Sequence, residues 1–202
     1  MFGCGSSFRQ ESYTTSTVQT TIPGYVAGAW TIDPVHSDVS FTVKHMMVSK
    51  VRGHFRTFSG TLVSSDDVTQ SSVTAEIDLS SFDTNNEQRD NHIRSKDFFE
   101  VATYPTLTFR SAGIRADGES HVIDGELTLH GVTKSVPLAV EINGFGPDAY
   151  GGYRAGFSAT TVINRSDFGV DIKMPMDGGG VVVGDKINRR VEIEAVLDQP
   201  QA

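Results

Sequence analysis

Cysteine is almost absent from this sequence. Cys4 is the only one among 202 residues, so the chain cannot form an intrachain disulfide or a zinc site built from several cysteines. Positive charge is also scarce, because 17 Lys and Arg residues stand against 25 Asp and Glu residues, for a net charge of -8. Such a chain does not favour broad electrostatic binding to nucleic acid or to an anionic membrane surface. We therefore expect no nucleic-acid partner.

Long apolar runs are also lacking. No stretch has the length of apolar residues that a membrane-spanning helix needs, so we expect no membrane span. The first 28 residues are rich in Ser and Thr and contain no apolar run typical of a secretory signal. We predict that residues 1–28 form a disordered tail, with a docking arm as the alternative. Residues 29–198 then form one domain, and the expected location is the cytoplasm.

Apolar residues recur at every second position through most of that domain. The clearest segments are residues 73–79, 136–142, 157–163 and 191–197. This period is typical of strands that have one covered face and one solvent-facing side. About eight such strands with short connections predict an all-β fold, a closed up-and-down antiparallel barrel. A β-sandwich is the alternative, but closure into a barrel removes the exposed edges of long strands.

The hairpin after the first strand has two candidate registers. A turn at residues 49–50 would place His45 opposite His54. A longer loop, or a bulge near residues 52–53, would shift the register and turn Phe55 inward. In either register the hairpin carries phenylalanine side chains on its inner face and basic residues near one end.

One helix is predicted, in the run at residues 84–105, with Asp83 or Thr84 as its N-cap. Its polar residues are too dense for a buried helix. We therefore expect the helix to lie across one end of the barrel, as a short cap, with Phe98 and Phe99 filling the opening.

The sequence contains little that indicates catalysis or metal binding. There are six histidines, and His45 and His54 could face each other, but no third ligand with suitable spacing is evident. No nucleophile elbow, phosphate-binding loop or dinucleotide fingerprint occurs. We predict a protein that is not an enzyme, without catalytic residues, metal or cofactor.

Five ordered segments resemble a known family. They are WTIDPVHSDVSFTVKH, GHFRTFSGTL, DTNNEQRDNHIRSKDFFEVATYPTLTF, GELTLHGVTKSVPL and AGFSATTVINRSDFGV. Together they resemble the bacterial YceI-like, lipocalin-like polyisoprenoid-binding proteins, and the likeness extends from Trp30 to Leu197. The resemblance implies an eight-stranded antiparallel barrel that holds a lipid chain in its interior.

The resemblance also implies a function. The barrel would bind, transport or store a long-chain isoprenoid or another amphiphilic lipid, such as a polyprenyl diphosphate or an isoprenoid quinone. The side chains expected to contact the lipid are those of Val39, Phe41, Val43, Phe55, Phe58, Phe98, Phe99, Phe109, Phe157 and Phe168. A polar head at one mouth of the barrel would meet His45, Arg52, His54, Arg89, His92 and Arg94.

The twelve phenylalanines have a second interpretation. They could form a solid aromatic core, because a filled barrel and a hollow one show the same alternation of apolar side chains. The protein would then be a structural or stress-related interaction module without a ligand. The identity of the lipid, a delivery partner and a homodimeric state are left open by the sequence.

Overall fold

The structure is a computed structural model that describes residues 22–118, 120–177 and 179–198. Within them the chain forms eleven strand segments and one α-helix. The strands are β1 (Gly28–Ile32), β2 (Asp38–His45), β3 (Ser49–Phe55), β4 (Phe58–Ser64), β5 (Ser72–Asp78), β6 (Phe82–Asp83), β7 (Thr106–Asp117), β8 (Ser120–Leu129), β9 (Val132–Pro147), β10 (Tyr153–Asn164) and β11 (Val183–Leu197). The helix is α1 (Glu87–Arg94).

The strands close into a barrel. The order around it is β1-β4-β5-β7-β8-β9-β10-β11, and β11 pairs again with β1. Three of the eight strands in the barrel wall are each interrupted once. The segments β1 and β2 form one of these strands, β3 and β4 form the second, and β5 and β6 form the third. The result is the eight-stranded closed antiparallel barrel with one helix that the alternation of apolar residues predicted.

The register of the β2–β3 hairpin differs from the first of the two predicted registers. His45 pairs with Ser49, not with His54, and Phe55 points inward with only 3% of its surface exposed. The turn comprises residues 46–48, and its first two residues have φ angles of 48° and 60°. The sequence showed no sign of this turn, because methionine has no preference for positive φ. The predicted pair of facing histidines is therefore wrong.

Helix α1 is shorter than the run that predicted it. It comprises eight residues, Glu87–Arg94, and the side chain of Asn86 caps it by accepting a hydrogen bond from the Arg89 N–H group at 2.9 Å. The prediction of Asp83 or Thr84 as the N-cap is therefore wrong, because both residues lie before Asn86 in the chain. No helix in the described part of the chain is long and apolar enough to cross a membrane.

Phenylalanine rings fill the end of the barrel that α1 covers. Phe98 and Phe99 lie in the turn after the helix, and Phe98 is buried. The rings of Phe41 and Phe82 stack with centroids 5.0 Å apart, and Phe55 and Phe99 meet Phe82 edge-on at 5.7 Å. Such contacts add to the stabilisation from burial alone. We call these five residues the phenylalanine cluster.

The opposite end is organised around the only tryptophan. Trp30 is fully buried, and its indole N–H donates to the Ser64 hydroxyl, which itself donates to the Val26 carbonyl, both at 2.8 Å. Tyr25 and Trp30 contact Phe145 with ring centroids 5.3 Å and 5.6 Å apart. The last residues of the predicted tail thus pack against the barrel, whereas residues 1–21 lie outside the described part.

Candidate functional site

The barrel interior contains a cavity of about 190 Å³. Its lining is mainly apolar and comes from the inward-facing positions of the strands, including Leu107, Phe109 and Ile123. Val68 and Ser71, in the connection between β4 and β5, line it as well. An apolar cavity of about 150 Å³ stays dry and can bind benzene. The present cavity therefore has room for a ring or a short branched apolar group before any side chain moves.

A second cavity, of about 70 Å³, lies beside the phenylalanine cluster. It is lined by all five members of that cluster and by side chains from α1, β10 and β11. Among the described residues, Arg189 alone lines both this smaller cavity and the larger one. The two cavities therefore meet at a charged side chain.

Most of the residues predicted to contact lipid line these cavities. Val39, Phe58, Phe109 and Phe157 line the larger one, and Phe41, Val43, Phe55, Phe98 and Phe99 line the smaller one. Phe168 is buried with 1% of its surface exposed and lines neither. Contact of these residues with a lipid stays a prediction, although their inward direction is as expected.

The residues predicted to bind a polar head lie elsewhere. Neither cavity is lined by His45, Arg52, His54, Arg89, His92 or Arg94. Arg89 donates hydrogen bonds to the hydroxyl and carbonyl oxygens of Thr84, at 2.7 Å and 2.9 Å. Arg94 donates to the carbonyl oxygens of Ser80, at 2.8 Å, and of Phe82. Both arginines thus fasten helix α1 to the segment before it.

Two of the other predicted head-group residues contact acidic side chains, Arg52 is exposed, and His45 is half-buried at the end of β2. His54 lies 2.7 Å from a carboxylate oxygen of Asp38, and His92 lies 3.3 Å from one of Asp97. Arg52 is exposed on β3, opposite Thr42 of β2. The structure does not bring the six residues together in one cavity, and a head-group role for any of them stays a prediction.

Arg189 is the feature of the interior that the sequence analysis missed. It lies on β11 between Phe41 of β2 and Thr161 of β10, and its guanidinium carbon is 5.7 Å from the centroid of the Phe55 ring. Its Nε atom is buried without a hydrogen-bond partner among the described residues. Burial lowers the pKa of Arg189 to about 10. The guanidinium therefore stays protonated at neutral pH.

The period of β11 contains the signal that could have identified Arg189. Ile187, Val191 and Ile193 line the cavities from alternate positions of this strand, and residue 189 shares their parity. On β8, His121 likewise lies two positions from Ile123, and both line the larger cavity. The Nδ1 atom of His121 is buried without a partner among the described residues. Both polar residues interrupt inward-facing rows of apolar side chains.

One group of possible metal ligands lies on the outside of the barrel, formed by Asp33, His36 and Glu194. Arg154 already contacts it, because its Nη1 atom is 2.8 Å from Asp33 and also pairs with Glu194. Arg154, and after it His36, hold the pKa of Asp33 well below its usual range. These contacts identify the group as an ion-pair network that joins the β1–β2 connection to β10 and β11.

Comparison with known sequences identifies a family. The profile of the YceI-like domain matches residues 30–196. A UPF0312 protein of Photorhabdus laumondii is 40% identical over 134 residues, which cover 66% of this chain and 70% of that protein. A UPF0312 protein of Pseudomonas savastanoi is 41% identical over 139 residues, which cover 67% of this chain and 71% of that protein.

Solved structures have the same fold. BcnA of Burkholderia cenocepacia is 28% identical, with a TM-score of 0.66 over 81% of this chain and 98% of its own. The YCEI protein of Campylobacter jejuni is 27% identical, with a TM-score of 0.65 over 94% of this chain and 100% of its own. A polyisoprenoid binding domain from Saccharophagus degradans is only 16% identical, with a TM-score of 0.64 over 86% of this chain and 100% of its own, and supports the fold alone.

Proposed function

Because the chain belongs to the YceI-like family and its barrel encloses an apolar cavity, we propose that it binds a long-chain isoprenoid or another amphiphilic lipid inside the barrel. The observation that carries this proposal is the larger cavity, whose lining combines Val, Ile, Leu and Phe side chains from nearly every strand. Burial of an apolar chain there would contribute about 25 cal/mol per Å² removed from water.

The barrel has the length that such a ligand requires. Strand β8 has ten residues and so spans about 33 Å, of which roughly 25 Å lies along the axis of a tilted barrel. A chain of this length would occupy the larger cavity and displace side chains near Arg189, where the smaller cavity begins. A polyprenyl phosphate or a quinone tail has the elongated shape that fits this space.

The proposed role is that of a carrier or a store, without catalysis. A barrel that surrounds an apolar chain keeps it from water, which is what transport or storage of a lipid in the cytoplasm would need. The proposed role calls for no cofactor and no metal. A carrier could also deliver its lipid to a partner protein, and it could act as a homodimer.

A packed-core module is the second candidate function, and the size of the cavity favours it. Pockets for drug-sized ligands measure roughly 300–1,000 Å³, whereas the larger cavity measures about 190 Å³. Extraction of the purified protein with organic solvent, followed by mass spectrometry, separates the two candidates. A lipid recovered in a fixed ratio to protein supports the carrier. Protein that yields no lipid and takes none up in titration would overturn the carrier and leave the module standing.

A cavity-filling variant sharpens this experiment. Ala159 lines the larger cavity, whereas Ala139 is exposed on the neighbouring strand. We expect Ala159→Phe to reduce the recovered lipid and Ala139→Phe to leave it unchanged, because only the first ring would take up space inside the barrel. Equal lipid content in the two variants would place the lipid outside the cavity.

A further inference from the structure

We propose that the guanidinium of Arg189 binds the anionic head of the lipid, so that the head lies inside the barrel and not at its mouth. The ligand class that follows is an amphiphile with a compact oxyanion head, a carboxylate or a phosphate. This inference rests on the proposed function, because it assigns the orientation and the charge of a ligand that the barrel must first bind.

The charge of Arg189 is unmatched in the described part of the chain. No aspartate or glutamate lines either cavity within the described residues. The Nε atom of Arg189 is buried without an acceptor in that part of the chain, and burial is the only cause that shifts its pKa. The face of the Phe55 ring is a weak substitute for a counter-ion. A buried charge without a partner destabilises a fold unless a ligand supplies the opposite charge.

Among the described residues, one other arginine reaches the interior. Arg165 lines the smaller cavity, but its Nη1 atom donates to the Val170 carbonyl at 2.6 Å and its Nη2 atom to the Ile172 carbonyl at 2.9 Å. It therefore fixes the loop after β10 and leaves little donor capacity for a ligand. Arg189 shows no comparable structural task, because its buried Nε atom meets no acceptor in the described residues.

The position of Arg189 also suits an anionic head. Arg189 lines both cavities, so an anion bound there can send its apolar tail into the larger one. His121, the other residue of the larger cavity with an unpartnered buried nitrogen, does not line the smaller cavity. A guanidinium carries a permanent positive charge, and in surroundings of low dielectric such a charge attracts an anion strongly. The anionic head is therefore assigned to Arg189.

The geometry of the guanidinium specifies the head further. Its fork of N–H donors matches two oxygens of one carboxylate or phosphate, and such charge-assisted pairs are about twice as strong as neutral hydrogen bonds. An alcohol presents a single neutral oxygen. We therefore expect the protein to prefer an acid or a phosphate over the alcohol that has the same chain.

The experiment is a titration of the full-length protein, after removal of bound lipid, with two pairs of probes. One pair is palmitate and hexadecanol, and the other is geranylgeranyl monophosphate and geranylgeraniol. The wild type should bind each anion at least about tenfold more tightly than its alcohol. In Arg189→Leu this preference should disappear for both pairs, with the alcohols bound at least as tightly as before.

A matched control lies next to Arg189 on the same strand. Arg190 has 70% of its side chain exposed and pairs with Glu192 on the outer face. Arg190→Leu should keep the full preference for anions, although it removes the same charge. Arg189→Lys, which keeps the charge but loses the fork, should retain part of the preference. In the wild type, the nitrogen NMR signal of the Arg189 side chain should move with palmitate but not with hexadecanol.

The outcomes separate the inference from the proposed function. A preference confined to palmitate identifies a fatty-acid carboxylate as the head, and one confined to the monophosphate identifies an isoprenyl phosphate. Binding of all four probes without preference, or a preference that survives Arg189→Leu, overturns the inference and leaves the carrier standing. Loss of the preference in Arg52→Ala instead would place the head at the mouth and also overturn it. A protein that binds none of the probes, and from which no lipid is recovered by extraction, refutes the carrier itself.

Discussion

The ring of Phe41 covers Gly53, its partner across the β2–β3 hairpin. A Cβ atom at residue 53 would lie 2.7 Å from Cε1 of this ring and 2.7 Å from Cγ2 of Thr84. A phenylalanine ring also covers a glycine on β8, where a Cβ atom at Gly125 would lie 2.6 Å from Cε2 of Phe109 on β7. In both places an inward-pointing ring occupies the volume of a missing side chain. The glycines thus allow the phenylalanines to lie flat against the barrel wall.

Replacing one of these glycines should disturb the ring above it. We expect Gly53→Ala to lower the free energy of unfolding by about 1–3 kcal/mol, because a methyl group added to a filled space forces its neighbours apart. Gly146→Ala is the matched control, since a Cβ atom there has no neighbour within 4 Å. Urea denaturation of both variants measures the difference. Equal stabilities would show that the Phe41 ring moves aside without cost.

Phe98 should be the more important of the two phenylalanines that follow the helix. Its surface is 7% exposed, whereas Phe99 is only partly buried. We expect Phe98→Ala to cost about 3–5 kcal/mol of unfolding free energy, and Phe99→Ala to cost less. Val48, 88% exposed, provides the control, because Val48→Ala should change stability by no more than about 0.5 kcal/mol. Thermal denaturation of the three variants tests this order, and a Phe98 variant as stable as the parent would contradict it.

Arg189→Leu should stabilise the protein when no ligand is present. Arg189 is half-buried and its buried Nε atom has no partner among the described residues. Leucine in its place removes the cost of an unsatisfied buried donor, which is typically about 1–3 kcal/mol. The effect is measured by denaturation of lipid-free protein. Arg190→Leu should show no such gain, because that side chain is exposed. A lower melting temperature for the Arg189 variant would mean that its charge has a partner within the fold.

Asp33 should make the stability depend on pH in the acid range. The hydrogen bonds from Arg154 and then from His36 lower its pKa in the folded state, so folding favours the ionised carboxylate. The resulting stability is fully present above the usual carboxyl pKa of about 3.9 and is lost as the pH falls below it.

Asp33→Asn removes this titration. We expect the variant to lose about 1.5–3 kcal/mol at pH 7, the usual contribution of a hydrogen bond to a charged group, and to approach the wild type as the pH falls from about 5 towards 2. Urea denaturation at a series of pH values measures the convergence. Parallel stability curves for the two proteins across this range would refute the assignment.

The alternation of residue types determined much of this barrel on its own. Successive side chains of a strand point to opposite faces, so the apolar rows of β8, β9, β10 and β11 predicted which residues face inward. The same rule applies to Arg189, which shares its parity with Val191 and Ile193. The count of about eight such strands predicted a closed barrel, and the five segments that resemble the YceI-like family predicted the same fold. All of these properties depend on order and spacing within the chain.

Tertiary structure alone decided how those inward-facing residues meet. The hairpin register depends on a turn in which Met46 and Met47 adopt positive φ, a conformation for which methionine gives no local signal. The size of the cavities depends on how closely strands that are distant in the sequence approach each other across the barrel. Whether Arg189 has a counter-ion also depends on tertiary structure, because any acidic residue that folding brings near it could supply one. The packing places phenylalanine rings beside Arg189 and no acidic side chain of the described cavity lining.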